Sequence, residues 1–171
     1  AEMVKIGLPV PPGFTITTQA CREFLKTGQL SHTLIEELDS AIKELESSLG
    51  RSFADSHNPL IISVRSGAKF SMPGMMETIL NVGMTPDVAI ALGEQTGNPG
   101  FAWDSYRRFI DLYGRIVCGI PKDSFVEIES KYLHLGKVQT IDTIDFELTQ
   151  LLIKDYIALI EKYEAQPFSL N

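Results

Sequence analysis

The sequence predicts an α+β fold with a few short strands and a mainly helical C-terminal half. In residues 60–65, apolar and polar side chains alternate with the period of a half-buried strand, and residues 78–82 have the character of a second strand. Segments at 33–49, 101–118 and 143–163 instead place apolar residues every three or four positions, as amphipathic helices do. The strands therefore fall in the first half of the chain, and helices account for most of the second.

The composition is that of one folded domain or of part of a larger one. Of the 171 residues, 44% are hydrophobic, which suffices for a sizeable core. The net charge of −7 disfavours non-specific binding to nucleic acid or to a membrane surface, because both depend on a basic face. The sequence has no bilayer-length apolar run and no secretory leader, so we expect a cytoplasmic protein. Cys21 and Cys118 are isolated in the sequence and are expected to be reduced, packed thiols.

A short strand and a helix are predicted near the N-terminus. The PPG run forces an extended backbone because proline fixes φ, so residues 14–17 are expected to form the strand. A helix capped by Thr17 or Thr18 follows and ends at Gly28. The apolar residues expected on its inner face are Ala20, Cys21, Phe24 and Leu25.

A second, longer helix is predicted from the capping-box sequence TLIE, which begins at Thr33. Apolar residues then recur with helical spacing, while glutamates and lysines occupy the other face. The apolar residues expected on the buried face are Leu34, Ile35, Leu38, Ala41, Ile42, Leu45 and Leu49. Residues 56–59 break this pattern and lead into the strand that ends at Arg65.

The second half of the chain is predicted to be helical. Thr85 is a candidate N-cap with proline at the first helical position, and a longer helix is expected over residues 101–118. Two further helices are expected at residues 123–135 and 143–163. The apolar residues expected to be buried in the long helix are Tyr106, Phe109, Ile110, Tyr113, Ile116 and Val117.

The segment between the two predicted strands has the composition of an anion-binding loop. Arg65 ends the first strand, and residues 66–74 are mainly small, polar or turn-forming, with Pro73-Gly74 suited to a type II turn. A fixed guanidinium beside exposed backbone N–H groups suits a polyphosphate, whose oxygens accept several hydrogen bonds. The sequence therefore predicts a nucleotide-phosphate site, in a long hairpin or under a flap that bends over the phosphates.

This stretch, SVRSGAKFSMPGMMETILN, resembles the corresponding segment of the pyruvate, phosphate dikinase family, within its ATP-grasp nucleotide-binding domain. The segments GLPVPPGFTITTQAC and AWDSYRRFIDLYGRIV resemble the same family in the same order. The resemblance implies that the chain is part of an ATP-grasp domain. It further implies a subdomain with the phosphate-binding loop at residues 1–100 and a helical insertion at residues 101–171.

The resemblance also implies a chemistry. The complete enzyme uses ATP and phosphate to phosphorylate a histidine, which gives AMP and pyrophosphate, and a mobile domain then carries the phosphoryl group to pyruvate to form phosphoenolpyruvate. Arg65 matches the arginine that contacts the ATP phosphates, and it is the predicted catalytic residue. Mg²⁺ would bridge those phosphates. The residues expected to bind ATP are Arg65, Ser66, Gly67, Lys69, Ser71, Met72, Pro73, Gly74, Met75 and Met76.

Several parts of the family's machinery are expected to lie outside this chain. They are a phosphate-binding lysine, the acidic metal ligands and the carrier histidine, so the isolated chain is expected to be inactive. The mobile carrier domain must dock against the nucleotide domain, and Arg107 and Arg108 are candidates for that contact. The alternative is an ion-paired surface, because Asp104 to Arg108 and Asp111 to Arg115 are each four residues apart on a helix. The full-length protein is expected to be a homo-oligomer without nucleic-acid or membrane partners.

Other interpretations remain open at this stage. Arg65 and Glu77 could form an ion pair with each other, or Glu77 could hold magnesium or face solvent. Lys69 could neutralise phosphate or remain a solvated loop charge, and the loop methionines could contact the ligand or fill gaps in packing. The alternative functions are a phosphoenolpyruvate synthase-like dikinase and a non-catalytic docking module. The P-loop and Rossmann phosphate-binding motifs do not occur in the sequence.

Overall fold

The computed structural model describes residues 6–67 and 77–169. The chain divides into two compact units, Ala1–Ser52 and Phe53–Asn171. The predicted division at residue 100 falls within the second unit, and it stays a prediction about subdomains of the larger protein. Among the described residues, helices predominate over a few short strands, which confirms the α+β composition.

The first unit contains two helices, α1 (Thr18–Thr27) and α2 (His32–Leu49). The strand predicted at residues 14–17 is wrong: the backbone is extended at Thr17, but these residues pair with no strand in the described part of the chain. Thr17 is the N-cap of α1 without a side-chain hydrogen bond, and Gly28 ends the helix with φ of 70°. A left-handed residue at this position is the usual end of a helix and favours glycine.

The predicted inner face of α1 is also wrong. No residue of α1 is buried, and Leu25 is 76% exposed. In α2, only Leu45 is buried, and Ile35 and Leu49 are exposed. The physical reason is size, because two helices of a 52-residue unit cannot enclose all of the apolar surface that their sequences carry.

The start of α2 lies two residues before the predicted position. Ser31 rather than Thr33 is the N-cap, and its Oγ accepts a hydrogen bond of 3.3 Å from the N–H of Leu34. Serine and threonine are both good N-caps, so the two neighbouring candidates compete for the same role. The capping box predicted at Thr33 is therefore absent.

The second unit begins with short strands and ends with four helices. Its strands are β2 (Pro59–Leu60), β3 (Ile62–Arg65) and β4 (Thr78–Val82), and β1 (Ser52–Phe53) lies at the boundary between the units. The helices are α3 (Pro86–Thr96), α4 (Pro99–Ile116), α5 (Lys122–Gly136) and α6 (Phe146–Glu164), with a 3₁₀ turn at Ile141–Thr143. None of the described helices is long and apolar enough to span a bilayer.

Side-chain caps mark the starts of three helices in this unit, α3, α4 and α6. Thr85 caps α3 as predicted, with its Oγ1 accepting from the N–H of Val88 over 3.2 Å. α4 starts two residues earlier than predicted because Asn98 caps it and proline occupies the first turn. α6 starts three residues later than predicted because Asp145 is its N-cap, with Oδ1 accepting from the N–H of Leu148 over 2.8 Å.

Helix α4 forms the centre of this unit, because it packs against α3, β4 and α6. Tyr106, Phe109 and Ile110 are buried as predicted, but Val117 is exposed, since the helix ends at Ile116. The core of the unit contains the largest fully buried side chains of the described residues, which are Tyr156, Phe125, Met84, Ile110, Leu152, Ile160 and Val88.

Candidate functional site

Arg65 lies at the open end of an antiparallel hairpin formed by β3 and β4. It pairs with Thr78 in the register of the two strands, and its side chain is exposed. The next pair, Ser66 and Glu77, closes the base of the loop: Ser66 N–H donates to the Glu77 carbonyl and Glu77 N–H donates to Ser66 Oγ, each over 3.0 Å. We call this pair the neck. The antiparallel pairing of the two predicted strands is thus observed, while the predicted arrangement of the loop, as a hairpin or a flap, lies outside the described residues.

The guanidinium of Arg65 has no carboxylate partner within residues 6–67 and 77–169. The intervening loop cannot supply one, because the sequence from 66 to 76 contains neither aspartate nor glutamate. Glu77 is the first acidic residue after Arg65 in the sequence, yet the described structure does not pair it with Arg65. The ion-pair interpretation of Arg65 is therefore not supported, and a delocalised cation stays exposed at the base of the loop.

Ser66 and Gly67 are the other described members of the predicted site. The hydroxyl of Ser66 is engaged in the neck, since Oγ accepts from Glu77 N–H and also lies 3.4 Å from the Glu77 carbonyl. Ser66 therefore closes the loop rather than presenting a free hydroxyl. A Cβ placed at Gly67 would meet no atom within 4 Å, so packing within the described chain does not require glycine there.

The remaining predicted binding residues lie outside the described residues and stay predictions. They are Lys69, Ser71, Met72, Pro73, Gly74, Met75 and Met76.

Among the cavities formed by the described residues of the second unit are two that Arg65 does not line. One of about 410 Å³ lies beside α3 and is lined by Ser56, His57, Asp87 and Glu94 among others. The other, of about 380 Å³, lies on the apolar flank of the hairpin. The described residues contain no group of three or more His, Cys, Asp or Glu side chains that could hold a metal ion. Arg65 thus stands on an open surface beside the loop.

All three arginines of α4 are paired with carboxylates. Both predicted pairs are confirmed: Arg108 Nε lies 2.7 Å from Asp104 Oδ2, and Arg115 Nη2 lies 2.7 Å from Asp111 Oδ2. Arg107, however, is 6% exposed. Its burial removes it from the predicted docking surface, so that prediction now rests on Arg108, which is half exposed.

A buried polar network explains the position of Arg107. Its guanidinium binds Asp104 Oδ1 at 2.7 Å and lies 4.0 Å from Glu129 Oε1, which also accepts a hydrogen bond of 2.6 Å from the hydroxyl of Tyr156. Burial alone would lower the pKa of Arg107, but the charge and hydrogen bond of Asp104 together with the charges of Tyr156 and Glu129 outweigh it, and the pKa is raised. Burial and the bond to Glu129 raise the pKa of Tyr156. The network joins α4, α5 and α6.

The sequence interpretation missed one residue of the hairpin, Asn81. Its backbone has φ of 59°, and its Nδ2 donates a hydrogen bond of 2.9 Å to the carbonyl oxygen of Ser105 in α4. Asparagine is depleted in strands but tolerates the left-handed region. Its occurrence between apolar strand residues, two positions before Gly83, was the available signal for an irregularity in β4.

A family model and several curated relatives match this chain, and their descriptions agree. Residues 1–40 match the family model described as "Pyruvate phosphate dikinase, AMP/ATP-binding domain". Pyruvate, phosphate dikinase of Rhizobium meliloti is 44% identical over 170 residues, covering 98% of this chain and 19% of the relative. The protein of the same name from Clostridium symbiosum is 46% identical over 151 residues, covering 84% of this chain and 17% of the relative.

A third relative carries the same name. Pyruvate, phosphate dikinase of Giardia intestinalis is 51% identical over 125 residues, covering 73% of this chain and 14% of the relative. The chain thus spans less than a fifth of the length of each of these curated relatives. The family-model match ends before β3 begins, so it bears on the first unit and not on Arg65.

Proposed function

The chain belongs to the pyruvate, phosphate dikinase family, and from that membership we propose that the β3–β4 hairpin binds the phosphates of ATP through Arg65. The larger protein would then be a phosphotransferase that converts ATP, phosphate and pyruvate to AMP, pyrophosphate and phosphoenolpyruvate through a phosphohistidine. The proposal places the chain in an ATP-grasp domain. The remaining loop residues, from Lys69 to Met76, belong to it through the resemblance of their sequence.

The observation that supports the proposal best is that Arg65 is exposed and that no carboxylate within residues 6–67 and 77–169 pairs with it. An arginine held by a carboxylate must give up that pair before it binds phosphate, and the described residues impose no such pair on Arg65. The backbone of Arg65 lies in a paired strand, and the hydrogen bonds of the neck hold the next residue. The guanidinium therefore extends from an ordered backbone. A planar guanidinium on such a base can donate two parallel N–H bonds to one phosphate group.

In the proposed reaction, Arg65 binds and orients the transferred phosphates and offsets the negative charge that spreads over their oxygens. Mg²⁺, when bound, would neutralise further phosphate charge. Within residues 6–67 and 77–169, no group of three or more His, Cys, Asp or Glu side chains is placed to hold a metal ion. The role proposed for Arg65 is to position the phosphates and to offset their negative charge.

Titration of the chain with ATP and Mg²⁺ tests the proposal. Arg65→Ala is expected to weaken binding roughly 10- to 100-fold, because a charge-assisted hydrogen-bonded contact contributes about 1.5–3 kcal/mol. Arg65→Lys should recover only part of the loss, since lysine keeps the charge without the bidentate geometry. Arg22→Ala is the matched control, because Arg22 is an exposed arginine of α1 remote in sequence from the loop.

A second measurement connects binding to chemistry. Arg65→Ala in the full-length dikinase that contains this segment should strongly reduce phosphorylation of the enzyme by ATP in a single turnover. Binding and phosphorylation that both match the unsubstituted protein would refute the assignment of Arg65. Equal losses in Arg65→Ala and Arg22→Ala would show a general effect of charge rather than a site.

A further inference from the structure

The hairpin that carries Arg65 contains a bulge in β4. Ile62 pairs with Val82, whereas Val64 pairs with Ile79, so two residues of β4 lie opposite the single residue Ser63. The two are Leu80 and Asn81, and the positive φ of Asn81 belongs to this irregularity. A bulge of this kind inserts one residue into a strand and changes the pairing of everything beyond it.

The bulge determines which residue of β4 lies opposite Arg65. If the register of Ile62 and Val82 continued without the bulge, Arg65 would lie opposite Ile79, whereas with the bulge it lies opposite Thr78. The same register brings Ser66 and Glu77 together in the neck. The surroundings of the Arg65 guanidinium and the closure of the neck therefore depend on the bulge staying at Asn81.

The side chain of Asn81 joins the bulge to the centre of the second unit. Its Nδ2 donates to the carbonyl oxygen of Ser105 over 2.9 Å, and its own carbonyl accepts from the N–H of Met84 over 3.1 Å. Ser105 precedes Tyr106, which is buried in the core. The bulge is thus tied on one side to a packed helix and on the other to the turn that follows β4.

We infer that Asn81 is a positioning residue, which holds the β4 bulge against α4 and thereby fixes where Arg65 presents its guanidinium. The inference rests on the proposed role of Arg65 in binding phosphate. Asn81 itself is two register positions away from Arg65 and acts through the strand. Three features coincide in this one residue: a left-handed backbone, a place in the bulge and a hydrogen bond to the helix.

The first experiment measures the hairpin without any ligand. Asn81→Asp keeps the shape of the side chain but replaces the Nδ2 donor by an oxygen, which repels the Ser105 carbonyl. Hydrogen exchange of the Ser66 and Glu77 amides should become about tenfold faster, because the neck opens locally more often. Ser105→Ala is the matched control, since the acceptor is the backbone carbonyl and is unchanged. Unchanged exchange at both amides would overturn the inference.

Asn81→Gly separates the side chain from the backbone conformation. Glycine adopts a positive φ without strain, so this variant removes only the side-chain bond and is expected to fold. It should also accelerate exchange at the neck. Slow exchange in Asn81→Gly together with fast exchange in Asn81→Asp would show that repulsion alone disturbs the hairpin, and it would overturn the role of the hydrogen bond.

A double-mutant cycle tests whether Asn81 acts through Arg65. Asn81→Asp should weaken binding of Mg²⁺ and ATP about fivefold, and the same substitution should have no effect in the Arg65→Ala background, because coupled residues are not additive. An equal effect in both backgrounds would indicate a general loss of structure and refute the positioning role. If Arg65→Ala leaves ATP binding unchanged, the proposed function fails, whereas the exchange measurements still decide whether Asn81 holds the hairpin.

Discussion

We expect the hydroxyl of Tyr156 to contribute measurably to the free energy of unfolding of the second unit. Tyr156 is fully buried, and its hydroxyl donates to Glu129 Oε1 over 2.6 Å. Its ring also meets that of Phe125 edge to face, with centroids 4.9 Å apart. Tyr156→Phe keeps the ring contact and removes only the hydroxyl, so the change isolates one hydrogen bond to a partly buried carboxylate.

The magnitude follows from the surroundings of Glu129. A hydrogen bond to a charged group contributes about 1.5–3 kcal/mol to stability. The Glu129 side chain is 23% exposed and lies 4.0 Å from Arg107, so water and the guanidinium can partly replace the lost donor. We therefore expect Tyr156→Phe to lower the free energy of unfolding by about 1.5–2 kcal/mol. For a unit of this size, that corresponds to a fall in Tm of roughly 6–8 °C.

The assay uses the fluorescence of Trp103, the single tryptophan of the chain. Trp103 lies in α4, so urea and thermal unfolding followed at this residue report on the second unit rather than on the whole chain. Tyr163→Phe is the matched control on the same helix, because Tyr163 is 55% exposed, and it should change stability by less than about 0.5 kcal/mol. The reasoning is refuted if Tyr156→Phe is as stable as the unsubstituted chain, or if both substitutions destabilise equally.

Two further predictions concern the same unit and the same fluorescence assay. Gly114→Ala should destabilise the unit by about 1–3 kcal/mol, because its Cβ would lie 2.5 Å from Cζ of Phe125. Gly100→Ala is the control and should be neutral or stabilising, because the atom nearest to its Cβ would be 3.6 Å away. A larger loss of stability in Gly100→Ala than in Gly114→Ala would contradict the prediction. The pKa of Asp155 is lowered below 3.8 because hydrogen bonds from Lys131 and a neighbouring tyrosine outweigh the opposing effect of burial. Its carboxylate therefore contributes stability above its unfolded pKa that is lost as the pH falls through the folded value. The difference in unfolding free energy between the unsubstituted chain and Asp155→Asn should shrink below that pH, and a constant difference would disprove the linkage.

Sequence patterns correctly predicted features that depend on residues close together in the chain. The Thr85 cap was predicted correctly because an N-cap interacts only with the first turn of its own helix. Strand β4 was predicted correctly because the pattern of a strand can be read from adjacent residues. The start of α2 was wrong because Ser31 and Thr33 offer the same chemistry two residues apart. Sequence pattern can show that a cap is present more readily than which of two good caps is used.

The errors about burial have a non-local cause. Arg107 was predicted, together with Arg108, as a docking residue because the family resemblance implies a mobile domain that docks against the nucleotide domain. Its actual partners include Glu129, which comes from another helix 22 residues later in the chain and is held by Tyr156 of a third. No periodicity within α4 encodes those distant partners. Arg65, by contrast, was placed at the strand end from its own segment, although its chemistry stays a proposal.

The neck has a consequence for how this protein can vary. Ser66 and Glu77 already hold the two ends of the loop together by hydrogen bonds at 3.0 Å. The entropy of closing a loop grows only slowly with its length. A change of a few residues in the length of the segment between the two ends is therefore expected to cost the pairing of β3 and β4 little free energy.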